Sequence, residues 1–487
     1  MARPPPNLIV VVLDCVRAKS LRVCGSEAPA ETPELDRLAS RGVTYTHAVA
    51  PANWTVPSHW SMLTGQYPAV HRLRLAGRVA NAPDTVSIEL SHGGYETALF
   101  SEQEFLVAGL GFEDGYAVKV GPAGGAGAVT EEKAPPRSGL PDTQRLYSDT
   151  MLNVLDAIPP LIVPFAAVDY RVQTAYKTRI CSDEIAARFQ SWIGARKSSR
   201  PFHALVNFVD AHEPYLPSED ERRLGWLSKW YARTPRNFLL LLPQVRSRTP
   251  WDSVRREYHR AIASADRKLG LLVRALSEAG ALENSALIIT ADHGQALGEA
   301  GTVYHGNGAT DALTRVPLVV VPPGNQSAPS RVDRWTTLCE IPRWLRSYAQ
   351  LGNSVGTRPE SEGAPDSDGL PAGVVYCEGS PASDFGRQLR GRSLQEGWNR
   401  RCLVAYKDRD KWVLDLELGS ITHWTVDDWT SDARPGDRLE GPASAEVFSS
   451  IFQPYEQLET RHAASAQRLV PVHGSVAERL RAWGYDQ

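Results

Sequence analysis

The sequence predicts an α/β fold, a mostly parallel sheet with helices on both faces, followed by a small C-terminal α+β subdomain. Three observations carry this. Apolar, β-branched runs recur along the chain, separated by segments with helical periodicity. Three of these runs end in side chains able to bind a cation: Asp14, Asp210 and the pair Asp292–His293. A stretch rich in Gly, Pro, Ser and acids, residues 351–374, precedes a hairpin pattern at 401–420. Alternating strands and helices imply a parallel sheet in a layered sandwich. In such sheets the chemistry gathers at the carboxyl ends of the strands.

The elements follow in order. Residues 8–13 (LIVVVL) are a continuous apolar run, the pattern of a strand buried on both faces. Residues 32–42 predict a helix with Thr32 as N-cap, Pro33 in the first turn and Gly42 past its end. Residues 43–50 predict a second strand, and 83–101 a helix, a Gly-Gly turn and a strand. FHALVNFVD at 202–210 is another apolar strand, and 254–280 a long amphipathic helix. A strand at 285–294, which delivers Asp292 and His293 at its carboxyl end, and another at 315–324 complete the alternation. Segments 103–200 and 216–252 fit the alternation poorly and are expected as insertions over the active face. The expected organisation is a catalytic domain at 1–350, a linker or mobile loop at 351–374 and a C-terminal subdomain with a small antiparallel sheet at 375–487.

Composition excludes several classes. The formal net charge of −3 offers no polybasic attraction to nucleic acid or anionic membrane. Six cysteines, at 15, 24, 181, 339, 377 and 402, lack metal-type spacing and, in a chain of 487 residues, do not read as a disulfide framework. The apolar stretch at 157–168 is short and carries three prolines, so it cannot span a bilayer. The N-terminal apolar run is too short for a signal peptide. The expectation is a soluble, cytoplasmic protein with a small-molecule substrate and no transmembrane segment; the oligomeric state is left open.

One stretch, WTVPSHWSMLTGQYPAVH at 54–71, places the Thr55 hydroxyl just before a helix N-terminus. A helix N-terminus stabilises negative charge through its free N–H groups and macrodipole. A threonine hydroxyl is a poor nucleophile until a base or a metal activates it. Thr55 therefore predicts metal ligands elsewhere. Asp14, Thr55, Asp292 and His293 would make one site rich in oxygen, and Asp210, His212 and His305 a second. Mixed carboxylate and imidazole ligands favour Zn²⁺ or Mn²⁺, with Ca²⁺ or Mg²⁺ possible, as one or two ions. Two ions about 3.5–4 Å apart clamp the attacking and leaving oxygens of an in-line displacement. His59, one turn beyond Thr55, is expected in the same pocket and joins Thr55 and His212 as a catalytic candidate. Each residue alone also has an ordinary reading: a helix cap for Thr55, a turn cap for Asp14, a loop histidine for His212.

Taken together these blocks resemble the sulfatase family of the alkaline phosphatase superfamily. The resemblance runs from NLIVVVLDCVRAKSLRVCG and TPELDRLASRGVTYTHAVAP through TVPSHWSMLTGQYPAVH, GGYETALFS, VDAHEPYLP and YHRAIASADRKLGLLV to IITADHGQALGEAG and HGNGATDALTRVPLVV. KWVLDLELG is similar to that family's C-terminal small sheet. The resemblance implies an alkaline-phosphatase-like three-layer sandwich and hydrolysis of sulfate or phosphate esters. It also exposes departures. Sulfatases carry Cys or Ser at the Thr55 position and oxidise it to formylglycine, an aldehyde that Thr cannot form. They carry Arg at the His59 position, a second Asp at Cys15, and commonly a Lys near His305. A Thr nucleophile, one N-terminal Asp and an Asp-His pair look like the dimetal phosphodiesterases and phosphatases of the superfamily. The GEAGTVYHGN and RVPL blocks also look like phosphoethanolamine transferases. The expectation is a metal-dependent hydrolase of phosphate diesters or phosphonate esters acting through covalent Thr55. Sulfate ester hydrolysis without formylglycine, phosphoryl transfer to an alcohol, and a non-catalytic binding role are the alternatives.

Overall fold

β1 (Asn7–Leu13) runs through the middle of the central sheet, and all but its first residue is buried. Each fully buried aliphatic side chain of such a strand contributes about 1.5–3 kcal/mol. The computed structural model describes residues 4–74, 77–79, 84–122, 183–213, 215, 251–299, 302–306, 308–324, 330–351, 369–379, 400–426, 436–463 and 469–470.

Around β1 lie α1 (Pro33–Ala39), β2 (Val43–Val49), α2 (Thr55–Thr64), α3 (Val86–His92), β3 (Glu96–Ser101), β4 (Val118–Val120), α4 (Glu184–Ala195), β5 (Phe202–Phe208), α5 (Trp251–Glu278), β6 (Ser285–Thr290), β7 (Arg315–Val321), β8 (Ser330–Thr337) and α6 (Ile341–Ala349). The eight strands form one sheet in the order β8-β2-β7-β6-β1-β5-β3-β4. β1 pairs parallel with β5 and β6, with Leu8 opposite His203 and Leu8 opposite Ala286. Only β7 runs against its neighbours, β2 and β6. The predicted mostly parallel sheet is therefore present. Helices α1, α4 and α5 pack together as one layer, and α2, α3 and α6 as the other.

Segment 103–200 differs in part from its reading as an insertion. Its described ends supply the edge strand β4 and the helix α4, both integral to the sandwich. A three-residue strand is too short for hydrophobic periodicity to register. The rest of that segment, residues 123–182, lies outside the described residues, as do 216–250 and 352–368. The apolar stretch at 157–168, Cys181 and most of the expected linker fall there.

Helix α1 is capped differently from the expectation. The Thr32 hydroxyl makes no cap hydrogen bond. Instead the Asp266 carboxylate, on α5, accepts from the backbone N–H groups of Glu34 (3.0 Å) and Leu35 (2.8 Å). A distant side chain thus satisfies the free donors of a helix start, which local sequence cannot reveal.

A second sheet lies toward the C-terminus: β9 (Val375–Gly379), β10 (Cys402–Lys407), β11 (Asp410–Asp415), β12 (Ile421–Thr425) and β13 (Asp437–Leu439), all antiparallel. The predicted hairpin is β10–β11, and helix α7 (Gln453–Ala463) follows. β9 docks beside the segment leading to Thr55. Glu378 N–H donates to the Pro51 carbonyl (2.8 Å) and Asn53 N–H to the Glu378 carbonyl (3.3 Å). The buried Glu378 carboxylate is clamped by Arg74 and Arg401. Among the described residues no helix is long and apolar enough to cross a membrane. The five described cysteines are free thiols.

Candidate active site

Thr55 is the first residue of α2, with the extended Trp54 as its N-cap. The expectation put Thr55 one position earlier, just outside the helix. Every residue of α2 is buried, which places the helix inside the core. Thr55 Oγ1 lies 3.3 Å from His293 Nε2. His293 Nδ1–H donates to the Gly294 carbonyl (2.9 Å), which fixes the tautomer and leaves the Nε2 lone pair facing Thr55. The turn after β6 requires Gly294, because any Cβ there would collide with the carbonyl of Ala312.

Asp14 and Asp292 stand at the ends of neighbouring strands and are fully buried. Asp292 Oδ1 accepts from the N–H groups of Cys15 (3.2 Å) and His293 (3.0 Å). Its Oδ2 lies 3.3 Å from His293 Nε2 and 3.4 Å from His59 Nδ1. Asp14 Oδ2 accepts from Gln103 Nε2 at 3.3 Å. Asp14 Oδ1 and Asp292 Oδ2 have no hydrogen-bond partner among the described residues. Buried carboxylate oxygens without partners are costly. Here the donor atoms of Asp14, Asp292 and His293 lie within 4.8 Å of one another, so the group fits a divalent cation.

His59 reaches this group, with both ring nitrogens engaged. Nδ1–H donates to the Thr55 carbonyl (3.0 Å), and Nε2 lies 3.4 Å from Asn207 Nδ2. Burial lowers its pKa to about 4, so the ring is neutral and braces the turn that carries Thr55.

The second predicted set is only partly assembled. His212 and His305 meet, their ring centroids 4.7 Å apart, and Glu213 joins them within 4.8 Å. Asp210 is directed elsewhere: its Oδ1 accepts from Ser264 Oγ (2.7 Å) and its Oδ2 from Lys268 Nζ (2.8 Å). Lys268 Nζ also donates to Glu102 Oε1 (2.5 Å), within an almost fully buried trio. Glu213 and Cys15 are thus the ligand-type residues that the sequence reading passed over. Glu213 follows His212 directly in VDAHEPY, which was the available signal. Burial raises the Glu213 carboxyl, but His212, His305 and the Gln295 hydrogen bond outweigh it and hold the pKa at about 2. Burial lowers His305 to about 3.

Cys15 has a left-handed backbone, φ 64°. Such strain costs of order 1–3 kcal/mol for a residue other than glycine and persists where the surroundings enforce it. Here the Cys15 N–H is held by Asp292, and its carbonyl accepts from Tyr258 OH at 2.6 Å. The loop before Thr55 is tied across the site to the His305 loop. Gly306 N–H donates to the Asn53 carbonyl (2.9 Å) and Asn53 Nδ2 to the Gly308 carbonyl (3.1 Å), joining the Thr55 and His305 loops.

A three-layer sandwich with a carboxylate- and imidazole-rich centre at the strand ends defines an alkaline-phosphatase-like α/β protein. The chain belongs to the sulfatase family, whose family model, described as Sulfatase, matches residues 6–342. Among curated proteins it is 24% identical over 352 residues to an arylsulfatase of Clostridium perfringens, covering 66% of this chain and 69% of that protein. It is 23% identical over 371 residues to a choline-sulfatase of Rhizobium meliloti, covering 70% and 68%. Among solved structures it superposes on a phosphonate monoester hydrolase of Agrobacterium radiobacter with a TM-score of 0.56 and 21% identity, covering 94% and 96%. A putative sulfatase from Bacteroides thetaiotaomicron gives 0.64 and 14% identity, covering 94% and 93%.

Proposed function

We propose that this chain is a metal-dependent hydrolase of monoanionic esters, phosphate diesters or phosphonate esters first, acting through a covalent Thr55 intermediate. The observation that carries this is the pair of unpartnered carboxylate oxygens, Asp14 Oδ1 and Asp292 Oδ2, in one buried group with His293 and the Thr55 hydroxyl. A divalent cation held by Asp14, Asp292 and His293 would supply Lewis acidity, lowering the Thr55 pKa and offsetting charge on the ester.

The chain's own residues do the rest. Thr55 Oγ1, at the start of α2, attacks phosphorus; the Thr55 O–P bond forms as the P–O bond to the leaving alcohol breaks. The free N–H groups of the first turn favour negative charge on the attacking oxygen. His212 Nδ1–H donates to the Glu213 carbonyl (2.8 Å), which leaves the Nε2 lone pair to take up the proton that Thr55 releases and then hand it to the departing oxygen. Its side chain is 31% exposed, against 2% for the Thr55 residue, which suits a group at the open side of the site. Water then attacks phosphorus, releases the acid and restores the Thr55 hydroxyl.

The charge of the substrate follows from where the nearby cations are spent. Arg17 is held by Glu299, Ser20 and the Gln295 carbonyl. Arg315 lies against Asp311 and the Thr46 carbonyl, and Lys268 against Glu102 and Asp210. With those cations committed, a singly charged ester fits better than a dianionic monoester. Sulfate esters carry the same single charge, and the sulfatases among the relatives favour them as the second reading.

The test is release of nitrophenol from a bis-aryl phosphodiester and from an aryl sulfate, after stripping and restoring Zn²⁺ or Mn²⁺. Diester cleavage that needs metal and disappears in Thr55→Ala is the expected result. Cleavage of the sulfate alone overturns the phosphoester preference.

A further inference from the structure

We propose that Gln295 is a positioning residue for the hydrolytic half of the reaction: it fixes His305 as the Nδ1–H tautomer, so that the Nε2 lone pair accepts a hydrogen bond from the attacking water. The inference rests on the covalent Thr55 reading above and names what prepares the water that resolves the intermediate.

Gln295 is fully buried, and a buried carboxamide needs partners for its amide hydrogens and for its oxygen. Its Nε2 donates to Glu213 Oε2 (2.7 Å) and to Tyr215 OH (2.7 Å), which uses both hydrogens. A carboxylate only accepts, so the amide cannot be turned over. Oε1 therefore faces His305 Nδ1, 3.0 Å away, and as an acceptor it requires the hydrogen on that nitrogen. The two other atoms near Nδ1 agree. Cys15 Sγ and Glu213 Oε2 each stand 3.6 Å from it, and both are electron-rich. Donation from the Cys15 thiol to a bare Nδ1 would set the nitrogen lone pair against Gln295 Oε1. A neutral imidazole carries one N–H, so the lone pair of His305 lies at Nε2.

The ring fixed in this way belongs to the site. Its centroid is 4.7 Å from that of His293, which faces the Thr55 hydroxyl, and 4.7 Å from that of His212. The backbone beside it is held as well, because Gly306 N–H donates to the Asn53 carbonyl (2.9 Å) in the loop before Thr55. Gln295 is tethered in turn: its carbonyl accepts from Arg17 Nη1 at 3.4 Å, and Arg17 is paired with Glu299. The His305 side chain is 12% exposed and that of His293 is 0%, so solvent reaches the first and not the second. A lone pair beside an anionic ester repels the ester oxygens and binds an O–H, which water supplies. The water oxygen bonds phosphorus, the bond from phosphorus to Thr55 Oγ1 breaks, and the water proton accepted at Nε2 passes on to the Thr55 oxygen. The ordinary reading of Gln295, a latch between the His212 and His305 loops, accounts for the hydrogen bonds but would affect both halves of the reaction alike.

Two measurements test this. The first uses the intact wild-type chain labelled with ¹⁵N-histidine. Long-range ¹H–¹⁵N correlations separate a protonated ring nitrogen from a bare one, and His305→Gln identifies the His305 signals. Hydrogen on Nδ1 with a bare Nε2 is expected; an Nε2–H ring or a doubly protonated ring overturns the proposal, and no Gln295 variant is needed for that result. The second follows nitrophenol release from the bis-aryl phosphodiester, together with trapped phosphorylated Thr55, in wild type and in Gln295→Met, which keeps the length of the side chain and removes the amide. The variant is expected to give a burst of about one nitrophenol per chain and then a steady rate lowered by about 10²-fold or more, with phosphorylated Thr55 accumulating. Burst and steady rate that fall together favour the latch and overturn the proposal, as does an unchanged steady rate. Zn²⁺ affinity by equilibrium dialysis is expected to match wild type; a loss of about 10-fold or more would make His305 a metal ligand steadied by Gln295 and overturns its role with water. If phosphorylated Thr55 is trapped in neither protein, the covalent reading itself falls and the hydrolytic role with it; if wild type is phosphorylated and the variant accumulates none, only the present proposal falls.

Discussion

Thr55 Oγ1 and His293 Nε2 face each other at 3.3 Å across the carboxyl end of the central sheet, although 238 residues separate them in the chain. The relationship is enforced from both sides. Thr55 is set by the start of α2, and His293 by its hydrogen bond to Gly294 in a turn that tolerates no Cβ.

If that hydroxyl is the nucleophile, Thr55→Ala will lower kcat by at least about 10³-fold with little change in stability. Thr55→Ser keeps the hydroxyl and is expected to retain measurable turnover. Single-turnover assays that trap phosphorylated enzyme in wild type and Thr55→Ser, and none in Thr55→Ala, check the covalent step directly.

Asp14 and Asp292 each present a buried oxygen without a hydrogen-bond partner. Asp14→Asn and Asp292→Asn are expected to weaken metal binding by more than about 100-fold, since even outer partners of metal ligands cost up to that. Equilibrium dialysis against Zn²⁺ and Mn²⁺ measures this without any assay of turnover. Affinity equal to wild type would remove these carboxylates from the ligand set.

Much of this arrangement was legible in sequence, for definite reasons. The buried strands β1, β5 and β6 announce themselves as unbroken apolar runs, and a parallel sheet delivers whatever follows them to one edge. Asp14, Asp292 and His293 come together on that logic. Asp210 obeys the same rule yet turns away, because Lys268 and Ser264 reach it from α5. Partners supplied by a helix 54–58 residues further on leave no local trace. The cap that Asp266 places on α1 escaped for the same reason. Cys15 was read as a missing aspartate, because its turn toward His305 depends on a backbone angle that composition does not encode.

Two histidines away from the ligand group make the fold acid-sensitive. His71 is buried, accepts from Leu73 N–H at Nδ1 (3.1 Å) and lies 2.9 Å from Ser61 Oγ at Nε2. Burial, with Arg74 nearby, lowers its pKa from 6.5 to about 3. His203, between Leu8 and Tyr116, is lowered by burial to about 4. Between about pH 6.5 and those values the unfolded chain binds the extra protons, so stability falls as pH falls, by up to about 1.4 kcal/mol per pH unit per histidine. His71→Gln will be less stable than wild type near neutrality, and the gap will narrow toward about pH 4. Denaturant melts across that range test it; a gap that stays constant would contradict a neutral, buried His71.

The last prediction concerns the trio beneath the His212 loop. Lys268 Nζ binds Glu102 and Asp210, and the three side chains are 0%, 0% and 2% exposed. Glu102 Oε2 also accepts from Val209 N–H at 2.9 Å, so the trio anchors the backbone just before His212 and Glu213. Burial pushes Glu102 up, and the adjacent Asp210 carboxylate adds to it; Lys268 is the opposing charge. Lys268→Met strands two carboxylates in the core and is expected to cost about 3–5 kcal/mol, since the partners left behind keep their desolvation penalty. Adding Glu102→Gln and Asp210→Asn removes those charges and is expected to restore most of the stability. Recovery of stability without recovery of turnover would locate the trio's contribution in aiming the His212 loop. Recovery of both would make it a structural ion cluster with no hold on the site. Failure to recover stability would mean that hydrogen bonding by the ammonium, rather than charge balance, holds β5 to α5.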